Sequence, residues 1–286
     1  MRLTMLGTGH AVVTECYNTC FALEDERRPV PERYFLVDGG GGSGLIAQLA
    51  HAGIPLTDVR QMFVTHKHLD HLLGMVWMMR LICQLGAHGA YPGEAYIYAH
   101  DEVIGILRHM ARDLLLPEEA AVIGRQLHLV EVHDGETRAI NDCPVTFFDI
   151  GSTKAKQFGF SMEYEAGREA GPGPEHEGAP AKRLVCCGDE PASPRGEEFA
   201  RGADWLLHEA FCRHAQADVF HPYEKHHSTV KDACELAERL GVRNLVLYHT
   251  EDGDLAHRKE LYAAEGARCS HGNLYVPDDL ERLELG

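Results

Sequence analysis

The chain has 286 residues, with 44 aspartates and glutamates against 27 lysines and arginines, so its formal net charge is −17 at pH 7. This acidic excess argues against a nucleic-acid binder, because polyanions are held mainly by lysine and arginine contacts to phosphate. An apolar content of 44% and a charged content of 25% are ordinary globular values, and they exclude disordered, collagen-like and coiled-coil classes.

Targeting signals are not found in this sequence. No apolar run is long enough to cross a membrane, and the N-terminus lacks a basic region followed by an apolar stretch, so we expect no membrane association and no signal peptide. The nine cysteines are scattered without CxxC spacing. Reduced, mostly buried thiols in a cytoplasmic protein are therefore favoured over a disulfide framework. The adjacent pair Cys186 and Cys187 is predicted to pack in the core.

Short apolar runs bounded by Gly, Pro, Asp or Asn alternate with helical patterns along the chain. The runs predict strands at residues 3–6, 19–23, 34–37, 61–64, 95–98, 127–132, 145–150, 158–164, 183–187, 205–207 and 244–248. Helices are predicted at residues 44–52, 72–85, 101–114 and 255–265, with a further one between His227 and Gly241. This order predicts an α/β protein in which helices cover the faces of sheets.

One segment, residues 166–181, departs from this pattern. It is rich in Gly, Pro, Glu and Ala and has no apolar period, which predicts a surface loop or flap rather than a linker. Because the strand pattern resumes directly after it, we expect a single domain over residues 1–286.

The strongest functional signal is the sequence HKHLDH at residues 66–71, between a predicted strand and an apolar helix. Side chains at i and i+2 of an extended segment point the same way, so His66 and His68 can converge on one cation. Asp70 and His71, where the chain turns into the helix, can face a second cation. Such ligands suit zinc, with manganese or iron as alternatives. Four ligand-type residues within six positions disfavour a mere run of surface histidines.

This motif resembles the HxHxDH metal motif of the metallo-β-lactamase superfamily. Other matches follow in order: the LGTG opening of the ribonuclease Z-like branch at residues 5–9, the first Asp motif at 35–40, the GD(T/S) motif at 187–189, the start of the HEAT loop at 208–210, the HST loop at 227–229 and the last metal histidine at 247–249. The resemblance implies a four-layer αββα sandwich with the site at strand ends along one edge.

The resemblance also implies roles for individual residues. Asp189 would bridge two metal ions, with one oxygen on each, and His249 would complete the second metal site together with Asp70 and His71. Glu209 would orient His227, which protonates the leaving group. By the same resemblance, Asp38 would support the motif loop through hydrogen bonds.

One ligand of the family pattern is missing here. The family usually supplies a third histidine to the first metal, and Thr153 falls nearest that place by spacing. First-metal ligation would then rest on His66, His68 and Asp189, which leaves two alternatives: an intact two-metal site and a depleted one.

Other side chains could compensate for this difference. His176 or His226 could replace the missing histidine by folding back towards the site. Alternatively, Lys154 or Lys156 could lie near the site and bind an anionic group of the substrate.

These observations lead us to expect a metal-dependent hydrolase with one or two zinc ions per chain. The expected substrate is a small phosphodiester or related ester, cleaved by a metal-activated hydroxide that Asp70 orients or deprotonates. The alternatives are a tRNA 3′-processing endoribonuclease and a degenerate metal-binding protein. The first is disfavoured because residues 166–181 carry one arginine against three glutamates and form no basic stripe.

The predicted helix at residues 72–85 is apolar on nearly every face. A buried core helix is the favoured interpretation. A homodimer face, which resembling proteins often have, and one wall of an apolar substrate pocket are the alternatives.

Overall fold

Two seven-stranded sheets stack face to face in the computed structural model, which describes residues 1–165 and 181–286. The predicted flap lies outside the described residues, except for Ala181. The strands are β1 Arg2–Gly7, β2 Cys20–Glu24, β3 Tyr34–Val37, β4 Val59–Phe63, β5 Ala95–Ala99, β6 Leu127–Glu131, β7 Thr137–Ile140, β8 Cys143–Asp149, β9 Phe158–Glu165, β10 Ala181–Cys186, β11 Trp205–Glu209, β12 Asn244–Tyr248, β13 Asn273–Tyr275 and β14 Arg282–Glu284.

Helices lie on the outer face of each sheet. They are α1 Gly44–His51, α2 Leu69–Ala87, α3 Asp101–Leu114, α4 Pro117–Ala120, α5 Pro194–Ala200, α6 Ala217–Phe220, α7 Val230–Leu240 and α8 Arg258–Gly266. Short 3₁₀ turns occur at Val30–Glu32, Leu56–Asp58, His214–Gln216, Tyr223–Lys225 and Leu255–His257. No helix in the described part of the chain is long and apolar enough to cross a membrane.

Three separate apolar clusters define the layers. The central cluster lies between the sheets, where Phe63 of β4 packs on Phe147 of β8 with ring centroids 4.9 Å apart. A second cluster joins one sheet to α1, α2 and α3, and a third joins the other sheet to α5, α7 and α8. This arrangement confirms the predicted four-layer αββα sandwich.

The strand order brings several loops to one edge. The first sheet has the order β14-β1-β2-β3-β4-β5-β6, and the second has the order β13-β12-β11-β10-β9-β8-β7. Strands β3 to β6 are parallel to one another, and so are β10 to β13. Because parallel strands end on the same side of a sheet, the segments that follow β4, β10, β11 and β12 can meet there.

Helix α2 begins at Leu69, three residues earlier than predicted, so Asp70 and His71 lie in its first turn. Most of its apolar side chains are buried, as a core helix requires, although Trp77 is 40% exposed. The start of the helix is fixed against the loop after β3. A Cβ added to Gly74 would lie 1.8 Å from the carbonyl oxygen of Gly39, so only glycine fits at position 74.

The cysteines are all free thiols, and all but Cys16 and Cys269 are buried. Cys186 and Cys187 are each 1% exposed and pack in the core on opposite faces of the second sheet. This agrees with the packing role predicted for the pair.

Candidate metal centre and catalytic site

The HKHLDH segment lies between the end of β4 and the first turn of α2, at the edge where the parallel strands end. His66 forms an isolated antiparallel bridge with Gln157, which directly precedes β9. Asp189 follows β10 in the second sheet, and His249 follows β12. The structure therefore brings ligand-type side chains from both sheets to one place.

Three buried imidazoles converge around one carboxylate oxygen. Oδ2 of Asp189 lies 3.6 Å from Nε2 of His66, 3.6 Å from Nε2 of His71 and 3.5 Å from Nε2 of His249. Oδ2 of Asp70 lies 3.4 Å from Nε2 of His71 and 3.5 Å from Nε2 of His249. Two triads that share His71 result: His66 with His71 and Asp189, and Asp70 with His71 and His249.

The two oxygens of Asp189 have different surroundings. Oδ2 faces the three imidazoles, whereas Oδ1 accepts a hydrogen bond of 2.5 Å from Nε2 of Gln157. The sequence interpretation gave one oxygen to each metal ion. In the structure, Oδ2 is the oxygen that the imidazoles of His66, His71 and His249 share, and the assignment of one oxygen to each metal ion stays a prediction.

Asp38 holds the HKHLDH segment through hydrogen bonds, as the motif resemblance implied. It accepts hydrogen bonds from the backbone N–H and the hydroxyl of Thr65, each 2.8 Å long, and from Nδ1 of His71 at 2.7 Å. The last bond keeps the proton of His71 on Nδ1 and leaves Nε2 free towards the triads. Asp38 has φ of +56° and His249 has φ of +57°, the left-handed region that is uncommon for residues other than glycine.

The side chains present fit a divalent cation. Nε2 of His71 and both ring nitrogens of His249 are buried without a hydrogen-bond partner among the residues described. Unpaired buried nitrogens are costly, and a cation would satisfy Nε2 of His71 and Nε2 of His249. Imidazole and carboxylate donors of this kind suit zinc and its first-row neighbours.

Electrostatics within the cluster follow from burial and close charges. Burial raises the pKa of both Asp70 and Asp189, but the neighbouring histidines outweigh it and hold these pKa values well below the usual range. Burial lowers the pKa of His66 and keeps that ring neutral at neutral pH. Burial also opposes the charge on His71, but the carboxylates of Asp70 and Asp38 outweigh it and raise its pKa.

Glu209 and His227 lie beside the second triad. Oε2 of Glu209 is 3.6 Å from Nδ1 of His227, and Oε1 accepts a 2.5 Å hydrogen bond from the backbone N–H of Ser228. Glu209, His227 and His249 form a third buried triad, in which one nitrogen or oxygen atom of each side chain lies within 4.8 Å of those of the other two. The ring of His227 stacks on Phe211, with centroids 5.1 Å apart and planes at 13°.

His68 lies at the margin of this centre. Its Nδ1 is 2.8 Å from Nε2 of His66, but it belongs to neither of the two triads among the described residues. Thr153, at the place of the expected third histidine, is exposed, and its hydroxyl lies 3.4 Å from Nδ1 of His226. His176 lies outside the described residues.

The two lysines considered from the sequence differ in their contacts. Nζ of Lys156 pairs with Asp101 at 2.6 Å, whereas Nζ of Lys154 donates to the backbone carbonyl of Lys225 at 2.7 Å. Oε1 of Glu190 lies 3.8 Å from Nζ of Lys154, farther away than the carbonyl oxygen of Lys225.

Three residues near the centre were not singled out from the sequence. Gln157 joins His66 and Asp189; the only hint was its place just before a Gly-aromatic strand. Phe211 stands after the HEA sequence, where the HEAT motif has threonine. His10 follows the LGTG-like opening, and its ring lies 4.5 Å from that of Phe211 and 6.3 Å from that of His249. Burial and the nearby His249 lower the pKa of His10 to about 4.

Comparison with known proteins agrees with this geometry. Residues 33–250 match the family model of the β-lactamase superfamily domain. Ribonuclease Z of Prochlorococcus marinus (strain MIT 9313) is 25% identical over 99% of this chain and 92% of its own, and ribonuclease Z of Methanothermobacter thermautotrophicus is 27% identical over 100% and 97%. The metallo-β-lactamase-fold protein YhfI of Bacillus subtilis has a similar crystal structure, with a TM-score of 0.73 at 14% identity over 99% of this chain and 98% of its own.

Proposed function

This chain belongs to the β-lactamase superfamily domain family and is a metal-dependent hydrolase, and we propose that it cleaves a small anionic phosphodiester or related ester. The observation that carries the proposal is the pair of buried triads that share His71, next to Glu209 and His227. A hydrolase of this class needs groups that hold divalent cations, a group that manages the proton of water and a group that protonates the leaving oxygen. Side chains of the right chemical type for all three roles lie close together here, which supports the proposal.

The proposed metal ligands are His66, His68, Asp70, His71, Asp189 and His249, and zinc is the proposed metal, at one or two ions per chain. When bound, such cations lower the pKa of a coordinated water and neutralise charge that develops on the ester. His68 is the weakest assignment by geometry, because it contacts His66 rather than the shared oxygen of Asp189.

The chain's own catalytic groups are Asp70, His227 and Glu209. In the proposed reaction, the carboxylate of Asp70 orients the attacking water or accepts its proton. His227 donates a proton to the leaving oxygen, while Glu209, held by the backbone of Ser228, orients the imidazole. Stacking on Phe211 restricts the ring of His227 further.

Cations beside the centre support an anionic substrate. Burial lowers the pKa of His68 and that of His10, and the charges of Lys154 and Lys225, respectively, add smaller contributions in the same direction. Nζ of Lys225 lies 4.8 Å from the ring centroid of Phe211. In the described residues Lys225 has no carboxylate partner within ion-pair distance, although the chain carries 44 acidic residues. Its charge is therefore available to an incoming anion.

Ribonuclease Z activity on precursor tRNA is the second candidate, because curated relatives with that name align along almost the whole chain. The net charge of −17 and the lack of a basic stripe in the sequence of residues 166–181 favour the small substrate. A depleted, non-catalytic protein is the third candidate. A homodimer, a cytoplasmic location and a single domain over residues 1–286 stay predictions from the sequence.

The direct experiment measures metal content of protein purified without added metal and then assays phosphodiester, thioester, lactone and precursor tRNA substrates. We expect at least one metal ion per chain and chelator-sensitive cleavage of small phosphodiesters. Preferred cleavage of precursor tRNA, with salt-sensitive binding, would favour the second candidate. Less than one ion per chain together with no turnover would favour the third.

Asp70→Ala should lower kcat/KM on the order of 10³-fold or more, because the substitution removes both a cation ligand and the proposed proton acceptor. The matched control is Asp113→Ala, which changes an exposed aspartate at the end of α3. Circular dichroism should show both variants folded. A folded Asp70→Ala variant with a near-normal rate contradicts the proposed role.

A further inference from the structure

The carboxamide of Gln157 connects the two sides of the candidate first metal site. The residue is 1% exposed, and its Nε2 lies 2.8 Å from Nδ1 of His66 and 2.5 Å from Oδ1 of Asp189. His66 belongs to the first sheet and Asp189 to the second. One side chain therefore ties together a pair of proposed ligands that come from different layers of the fold.

The contacts lie on the atoms that face away from the shared oxygen. Gln157 holds Oδ1 of Asp189, while Oδ2 faces the imidazoles; it also holds Nδ1 of His66, while Nε2 faces Oδ2 of Asp189 at 3.6 Å. Because Oδ1 of Asp189 and Nδ1 of His66 are restrained, the directions of Oδ2 of Asp189 and Nε2 of His66 are fixed as well. This is how hydrogen-bond partners outside a metal site orient its ligands.

The backbone also holds Gln157 in place. The residue pairs with His66 in a β-bridge, and its carbonyl accepts a 3.0 Å hydrogen bond from the backbone N–H of Ile150. Gly188 leaves room for the side chain, because a Cβ there would lie 2.8 Å from Oε1 of Gln157. The tight packing leaves the carboxamide few other orientations.

The carboxamide oxygen of Gln157 is not used in these contacts. Oε1 of Gln157 is buried and has no hydrogen-bond partner among the described residues. A histidine that gives Nε2 to a cation carries its proton on Nδ1. The hydroxyl of Thr65 lies 3.0 Å from Nδ1 of His66 and can accept this proton. The carboxamide of Gln157 donates to Oδ1 of Asp189, which a carboxylate or an apolar side chain cannot do.

We propose that Gln157 is the positioning residue of the first metal site, and that it fixes His66 and Asp189 where the family pattern has a third histidine as ligand. The inference rests on the metal sites of the proposed function. Thr153, which stands at the place of the missing histidine, is exposed and contacts His226. It takes no part in this arrangement.

The test is a Co²⁺ titration of the metal-free chain, followed by the visible absorption of the bound ion. We expect two binding phases in the unsubstituted chain. Gln157→Met keeps the length of the side chain without its polar atoms, and Gln157→Glu removes the donor and sets a carboxylate against Asp189. Each should weaken one phase by about 10-fold to 100-fold and the other by much less, because Asp189 also faces His71 and His249.

Thr153→Ala is the matched control, and both of its phases should equal those of the unsubstituted chain. Equal loss in Thr153→Ala, a single phase in the unsubstituted chain, or unchanged phases in both Gln157 variants would overturn the proposal. If Gln157 only stabilised the fold, its variants would have a lower unfolding midpoint without metal, and both binding phases would weaken equally. That result would also overturn the proposal. Because the titration uses no substrate, a chain that binds metal as expected but cleaves no ester contradicts only the proposed function.

Discussion

His227 is placed by three neighbours that differ in character. Glu209 faces its Nδ1, Phe211 stacks on its ring, and His249 lies with its ring centroid 5.0 Å away. Glu209 is 0% exposed and is itself fixed by the backbone N–H of Ser228. Such a held imidazole is suited to deliver a proton in one direction, towards the leaving group of a substrate bound at the triads.

His227→Gln should therefore slow hydrolysis according to the basicity of the leaving group. A diester with an alkoxide leaving group needs the proton, and its kcat should fall about 10²-fold or more. A p-nitrophenolate leaves without protonation, so kcat for such a diester should fall by much less. The comparison of the two kcat ratios checks the role of His227.

His226→Gln provides the control, since this neighbouring histidine is exposed and contacts Thr153. It should leave the ratio of the two rates unchanged. An equal loss of kcat with both leaving groups in His227→Gln would contradict proton donation.

All residues of the two triads were named from the sequence. The spacing of the HKHLDH segment indicated His66, Asp70 and His71, whereas Asp189 and His249 were implied by the motif resemblance. Two details required the three-dimensional structure. A single glutamine before a strand is common, so the position of Gln157 before the Gly-aromatic strand was too weak a signal to single it out. Likewise, the direction of each oxygen of Asp189 depends on contacts from two other elements.

Helix α2 and the loop after β3 lie against each other without intervening side chains. The backbone N–H of Gly39 donates to the carbonyl of His71 at 2.8 Å, and the N–H of Gly74 donates to the carbonyl of Gly40 at 3.0 Å. These bonds hold the first turn of α2, which carries Asp70 and His71, against the loop that carries Asp38. The contact is therefore part of the support of the proposed metal site.

Gly74→Ala should lower the free energy of unfolding by about 2 kcal/mol or more, because the added Cβ would lie 1.8 Å from the carbonyl oxygen of Gly39. It should also weaken metal binding by displacing the start of α2. Chemical denaturation and metal titration check these effects.

Gly105→Ala is the matched control for that substitution. Gly105 lies in helix α3, it is exposed, and a Cβ there meets no atom within 4 Å. It should raise the free energy of unfolding by about 0.5 to 1 kcal/mol. Equal stability of the Gly74→Ala variant and the unsubstituted chain would contradict the close-approach argument.

At the scale of elements, the predicted strands and longer helices were observed, most with shifted ends, whereas β3, β12 and α3 have the predicted bounds. The sheet-edge strands β7, β13 and β14 were missed, because they are three or four residues long and mostly exposed or half-buried, so no apolar run marks them. The predicted helix at residues 255–265 divides into a 3₁₀ turn and α8. The short helices α4, α5 and α6 contain too few turns to show a period.

Across the whole molecule, the proposed ligands join two sheets that otherwise meet through apolar packing. His66, Asp70 and His71 follow β4 in the first sheet, whereas Asp189 and His249 follow strands of the second. Any cation held by both groups binds the folded chain far better than the unfolded one. Metal binding and folding are consequently linked.

Addition of Zn²⁺ to the metal-free chain at 100 times its dissociation constant should stabilise the fold by about 2.7 kcal/mol. The thermal midpoint should rise by roughly 5 °C, as a calorimeter or fluorescence melt would measure. Mg²⁺ at the same concentration should give a smaller rise, because imidazole is a poor ligand for it. Asp189→Asn should reduce the Zn²⁺ effect, and an undiminished rise in that variant would contradict a cation held by Oδ2.

The positions of the ligands along the chain also order events during synthesis. His66 leaves the ribosome early, whereas His249 is added only after β12, on the order of ten seconds or more later at ordinary elongation rates. A nascent chain that stops before β12 offers the HKHLDH segment without its partners. If the proposed ligands hold a metal ion, we therefore expect loading to be a late step that is completed when the second sheet docks on the first, and truncated chains to bind the ion more weakly than the full chain.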